Sequence, residues 1–194
     1  MDQEALIRRV IVDVASTHLG AGHTERAVSQ NAERIRETTT WHTTNFTWSV
    51  SWYQPNTHPQ HAGELHVPDF DFSVNGRRLA NLESKNWKPK WPLSVDQAKN
   101  KIVSRVEGRP VELGNILVIS ELLCETSVQF QILNILAAHH FKVILTHRKT
   151  EGISDHAMYC TLRSKLHPIL DYVFTLQEPK PDWTILESDE KELL

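Results

Sequence analysis

The chain has 194 residues, a formal net charge of −3 and two cysteines. It is long enough for one domain with a real core, is not a polycation built to coat nucleic acid, and is not a disulfide scaffold. Its longest apolar runs are too short to span a bilayer, and the acidic start Met1-Asp2-Gln3-Glu4 lacks the regions of a secretory leader. The composition therefore predicts a soluble single α/β domain over 1–194 in a reducing cytoplasm, with Cys124 and Cys160 as small buried apolar residues and 186–194 as a flexible acidic tail.

In chain order, the 3.6-residue spacing of Leu6, Ile7, Val10, Ile11 and Val14 predicts a helix from about Gln3 to Thr17. Gly20 and Gly22 break it. A stripe of Val28, Ala32 and Ile35 predicts a second helix from about Thr24 to Thr38. Phe46, Trp48, Val50 and Trp52 alternate with Thr47, Ser49, Ser51 and Tyr53, which reads as the first strand of the sheet, followed by a loop over 54–63. Two further alternating runs flank Asn75-Gly76, the strongest short-range hairpin signal. Ser94 begins a helix to about Glu107; Ile116 to Ile119 reads as a strand buried on both faces. A helix over about Thr126 to His140 and a strand from Phe141 to Thr146 complete a βαβ crossover. Met158 to Leu170 reads as a helix and Tyr172 to Leu176 as a last strand.

Chemistry concentrates on the hairpin, where Pro68-Asp69 precedes the turn and Glu83-Ser84-Lys85 ends the returning strand. Glu83 and Lys85, two residues apart, share one face of that strand. Whether Asp69 joins them depends on register. A strict two-residue turn pairs Val74 with Arg77 and puts Asp69 across from Leu82, with Glu83 on the opposite face. A one-residue bulge or an odd loop length instead sets Asp69 opposite Glu83, Asp71 opposite Asn81, Phe70 opposite Leu82 and Phe72 opposite Ala80. Only that register segregates apolar from polar residues, so it is the one expected. Two carboxylates so placed could share a hard cation, which polarises a phosphoryl oxygen and lowers the pKa of an attacking water, while an adjacent ammonium orients the water or stabilises transition-state charge.

Pro-Asp, a hairpin and then apolar-Glu-x-Lys resembles the PD-(D/E)xK, or restriction endonuclease-like, nuclease superfamily. The resemblance implies a core of helix, three strands, helix and further strand, a mixed central sheet flanked by helices, and a divalent-metal site on the hairpin holding Mg²⁺ or Mn²⁺. Carried over, Asp69 and Glu83 become metal ligands and Lys85 the water-orienting or charge-stabilising residue, with Asp71 and Glu25 as candidates for a further ligand or for a group that supports the ligands. Many members also present a Glu from the helix before the first core strand; Glu25, Glu33 and Glu37 are the candidates, and Glu25, a turn before Val28, is favoured. RecB-type members carry a Gln followed four residues later by Tyr after the Glu-x-Lys strand, whereas Gln97 here is followed by Lys101. A second formal match, Pro181-Asp182 with Asp189-Glu190-Lys191, sits in a run of charges with no apolar strand to hold it.

Between Gly76 and Arg105 eight cations face two anions, a surplus that a chain of net −3 lacks elsewhere. Arg77, Arg78, Lys88, Lys90, Lys99 and Lys101, with Trp87 and Trp91 between them, suit phosphate contact and base stacking. His58, His61 and His66 have no nearby cysteine and do not make a zinc pattern. His147, Arg148 and Lys149 leave a strand end where α/β folds bind ligands. Ser120-Glu121 lacks a nucleophile elbow, and no P-loop or dinucleotide fingerprint is present. The expectation is a metal-dependent nuclease acting on DNA, most naturally an endonuclease. A single metal site cuts one strand, so double-strand cleavage calls for a homodimer or two sequential nicks. The rivals are a non-catalytic module that keeps the fold and binds nucleic acid or a protein, and a Rossmann-like ligand domain on 114–147 with a deep pocket at Thr146.

Overall fold

A computed structural model describes residues 2–28, 34–55, 68–85, 94–108, 111–119, 126–146 and 153–175. Helix α1 (Gln3–Leu19) is capped by Asp2, whose Oδ1 accepts the Ala5 amide at 2.7 Å, and ends at Gly20 with φ of 82°. Strands β1 (His23–Val28), β2 (Arg34–His42), β3 (Thr47–Pro55), β4 (Phe70–Val74) and β5 (Arg77–Lys85) follow as an antiparallel meander. Next come α2 (Val95–Ala98), a π-helical turn (Lys99–Val103) and α3 (Ser104–Val106), one helical stretch with a widened middle. Strand β6 (Gly114–Ile119), helix α4 (Thr126–Ala138), strand β7 (Phe141–Leu145) and helix α5 (Asp155–Thr175) complete the order.

The seven strands form one sheet in sequential order, antiparallel from β1 to β5 and parallel from β5 to β7. Helices α1 and α5 pack together over one face, where Leu6, Ile7, Val10, Trp52, Phe72 and Phe174 are buried. Phe174 meets Trp41, Trp48 and Phe72 at centroid distances of 5.8–6.3 Å. On the other face the stretch from α2 to α3 and helix α4 bury Ile102, Val103, Ile132 and Leu136 against Leu117 and Ile119. Strand β6 is buried along its whole length, as its apolar run requires.

The hairpin adopts the bulged register. Asn75 and Gly76 both have positive φ, 48° and 78°, the pattern of a two-residue type I′ turn. Val74 pairs with Arg77 and Ser73 with Arg78; the register then shifts, so that Phe72 pairs with Ala80, Asp71 with Asn81 and Phe70 with Leu82. Leu79 is the extra residue and is fully buried, so the shift is held by burial as well as by the ladder.

Three expectations fail. The segment read as a helix over 24–38 is the β1–β2 pair, and the run expected as the first strand is the third, Thr47–Pro55. The stripe of Val28, Ala32 and Ile35 mimics a helix, but the β-branched run Thr38-Thr39-Thr40 extends into Trp41, which seats in the core; Trp41 packs so close over Gly22 that a Cβ there would lie 2.7 Å from the indole. The strand expected at Tyr172 to Leu176 does not form, because α5 runs on to Thr175: Leu162, Leu166, Ile169, Leu170, Val173 and Phe174 continue one buried helical stripe past Pro168. Cys160 is exposed on α5, 3.7 Å from the His156 Nε2, rather than buried. Cys124 and the tail 186–194 lie outside the described residues.

Candidate active site

Pro68-Asp69 enters β4 on the row of Glu83, and the two acids are cross-bonded through the backbone. The Asp69 amide donates to Glu83 Oε2 at 3.2 Å, and the Ser84 amide donates to Asp69 Oδ2 at 2.7 Å. On the other flank the Tyr53 amide donates to the Asp69 carbonyl at 2.9 Å, so three strands fix this residue. Glu83 is fully buried and Asp69 nearly so. Lys85, on the same face as Glu83, donates from Nζ to Glu83 Oε1. The three residues singled out in the sequence thus converge at one end of β4 and β5.

The first turn of α1 closes this end. Gln3 is buried and donates from Nε2 to Ser84 Oγ at 3.0 Å. Glu4, half-buried beside it, lies in the field of Asp69 and Lys85. Burial first, then the negative charges of Asp69 and Asp2, push its carboxyl up to about 7, with Lys85 and the Trp52 indole pulling the other way. Glu83 rises to about 7 for the same reasons, burial and then Asp69, against the pull of Lys85 and Arg105. The positive N-terminal end of the 17-residue α1 faces this carboxylate group.

Glu4 and Arg105 are the neighbours that sequence reading missed. Glu4 was legible only as a first-turn acid in the first helix, and what selects it is the packing of α1 against β5. Arg105 sits half-buried beyond the π-helical turn, a position that no linear pattern encodes.

Other named residues lie elsewhere. Asp71 is buried one row along, accepts the Tyr53 hydroxyl on Oδ2 at 3.0 Å, and pairs with Asn81. Asn81 in turn donates to Asn115 Oδ1 at 3.0 Å, and Asn115 donates to the His139 carbonyl at 2.8 Å. Glu25, assigned to a helix, stands exposed on the edge strand β1, three strands and about 14 Å from Asp71. Glu37 faces α1, paired with Arg8 at 2.7 Å. Arg77 and Arg78 occupy the hairpin end of β5, about 25 Å from Lys85, and Arg77 is bound to Glu112 at 2.6 Å. They do not join the carboxylates. Lys99 and Lys101 are exposed on the π-helical turn. Gln97 spends its side chain on a capping box with Ser94. Trp87, Lys88, Lys90, Trp91, Glu33, Ser120, Glu121, the histidines at 58, 61 and 66, the cations at 147–149 and the second Pro-Asp match all lie outside the described residues.

Among the described residues no three His, Cys, Asp or Glu side chains form a complete protein cage for a metal. A Mg²⁺-type ion does not need one, since it binds through one or two carboxylates and keeps waters and substrate oxygens. The donor set at Asp69 and Glu83 is of that kind: hard oxygens, buried, with Glu83 raised first by that burial and then by the charge of Asp69. A cleft of about 520 Å³ opens at the start of β6, lined by Val106, Glu112, Asn115 and His140 among others, at the opposite end of the strands from Glu83. Thr146 itself is buried. No described helix is long and apolar enough to cross a membrane. Compared with family models, with curated proteins and with solved structures, the chain finds no match.

Proposed function

We propose that the protein is a metal-dependent nuclease that hydrolyses phosphodiester bonds, with DNA as its substrate and a restriction endonuclease-like core. The observation that carries the reading is the convergence of Asp69, Glu83 and Lys85 in a hairpin whose two-residue turn needs its bulge to bring both carboxylates to one face. The order α1, the meander β3–β4–β5, a helical stretch and a parallel β6 also agrees with the core that the resemblance implies.

Asp69 and Glu83 would hold Mg²⁺ or Mn²⁺, which supplies Lewis acidity toward the phosphoryl oxygen and acidifies a water. Lys85 pulls the raised Glu83 carboxyl back toward its charged form and presents the ammonium to charge building up on the phosphoryl oxygens. Glu4, poised near neutral pH, is the half-buried carboxyl placed to accept a proton from the attacking water. Asp71 holds Tyr53 and so braces β3 against β4 beside the site.

A cleavage assay tests the reading. Labelled duplex, branched and single-stranded DNA and RNA are incubated in Mg²⁺, in Mn²⁺ and in chelator, beside Glu83→Ala. Cutting in either metal that disappears in chelator and in the variant is expected. Salt-sensitive binding without any cutting would leave a nucleic-acid-binding module in its place.

A further inference from the structure

Strands β2 and β3 turn one side toward α1 and α5 and leave the other polar. On that other side the row through Asp71 contains Thr38 and Ser51, whose hydroxyls bond each other at 2.9 Å. The neighbouring row is Thr40, Ser49 and Ser73. Among the described residues no hydrogen bond engages those three hydroxyls, and all five of these positions are half-exposed. The row on the other flank begins with exposed Arg36, which pairs with Tyr53, the residue that binds Asp69 through the backbone. The apolar cluster over this side of the sheet draws only on β6, β7 and the helices above them, none of it on β1–β4.

Strand β3 has no acid, and the single acid of β2, Glu37, lies on the opposite side in contact with Arg8 and Arg26. The acids on this side stand at its two margins: Glu25 on the edge strand β1 beside Thr38, 3.6 Å from His23, and buried Asp71, which accepts the Tyr53 hydroxyl. Between those margins β2 and β3 present short hydroxyl donors and, one row along, the Arg36 guanidinium, in rows adjacent to that of Asp69 and Glu83. Hydroxyl and guanidinium groups are the donors that position a sugar-phosphate backbone without reading its bases. Resting on the nuclease reading, we propose that this hydroxyl-lined side of β2–β4 is the track on which the phosphate backbone of the substrate strand lies as it leaves the carboxylates.

The test separates this inference from the activity by measuring binding in Ca²⁺ without Mg²⁺, using fluorescence anisotropy of labelled duplex and single-stranded DNA. Thr40→Lys should tighten binding several-fold and steepen the dependence of log K on log salt by about 0.9, the increment for one added phosphate contact. Thr40→Glu should weaken it several-fold, and Gln131→Glu, on the exposed side of α4, should leave it unchanged. Damage to folding would move both Thr40 variants the same way, so opposite shifts identify the charge. Metal-dependent cutting by the wild type with equal binding by both Thr40 variants would sink the track and leave the nuclease standing. Binding that follows the Thr40 charge without cutting would sustain the track and remove the nuclease. Absence of nucleic-acid binding by the wild type would overturn both.

Discussion

The two ends of β5 carry charges of similar number and opposite meaning. At the hairpin end Arg77 and Arg78 stand in solvent, and Arg77 is answered by Glu112. At the other end Glu83 is fully buried, shares its surroundings with Asp69 and Glu4, and has Lys85 and the more distant Arg105 to balance them. A charge count along the chain treats both ends as one basic stretch. Burial separates them: the exposed pair is screened and costs almost nothing to arrange, whereas the buried acids stay charged only at the expense of stability, a cost usually met by function.

The sharpest break of the comparison is Glu83→Ala, expected to lower metal-dependent cleavage by about 10²–10³-fold, the range for removing one preorganised electrostatic group; Arg77→Ala should leave cleavage at the wild-type rate in the same gel assay. Lys85→Met strips the buried acid of its ammonium and should cost about 3 kcal/mol in urea unfolding at pH 8, with much of that cost disappearing at pH 5, where Glu83 takes a proton.

Glu83→Gln tests the same balance from the other side. Because the native carboxyl is raised from 4.5 to about 7, the unfolded chain releases this proton first as pH rises. The native state therefore loses stability through that window, by about 3 kcal/mol in full above pH 7. Relative to wild type, the Gln variant should gain thermal stability between pH 5 and pH 8. Mg²⁺ at pH 8 should close the gap by stabilising the wild type alone; a melting curve for wild type that is indifferent to both pH and Mg²⁺ would contradict the balance. The smallest effect belongs to the hairpin end, where Glu112→Ala should change stability by about 1 kcal/mol or less and respond to added salt.

The residues that were legible in the sequence are those whose neighbours are close along the chain. Asn75-Gly76 specifies the turn, and the alternation of Phe70 and Phe72 with Asp69 and Asp71 makes one register better than its rival, so the pairing of carboxylates could be read before any coordinates. The β1–β2 pair was not legible, because Val28, Ala32 and Ile35 happen to fit a helical stripe, and only the burial of Trp41 decides otherwise. The end of α5 was not legible because Tyr172, Val173 and Phe174 favour strands in isolation, while the burial of Val173 and the packing of Phe174 against Trp41 and Trp48 keep the segment helical. Glu4 lies 65 residues before Asp69 in sequence; what joins them is the docking of α1, a long-range contact that no local pattern announces.

The bulge at Leu79 makes the hairpin act as a parity check. Side chains alternate across a strand, so inserting or removing one residue between Asp69 and Glu83 exchanges inside for outside along everything beyond it. Deleting Leu79 would carry Glu83 and Lys85 to the side of α1 and α5 and swing Leu82 into their place. Changes of two residues at the tip preserve the arrangement and single ones do not. Even steps in loop length therefore keep the site, and any odd step must be matched by the loss of the bulge.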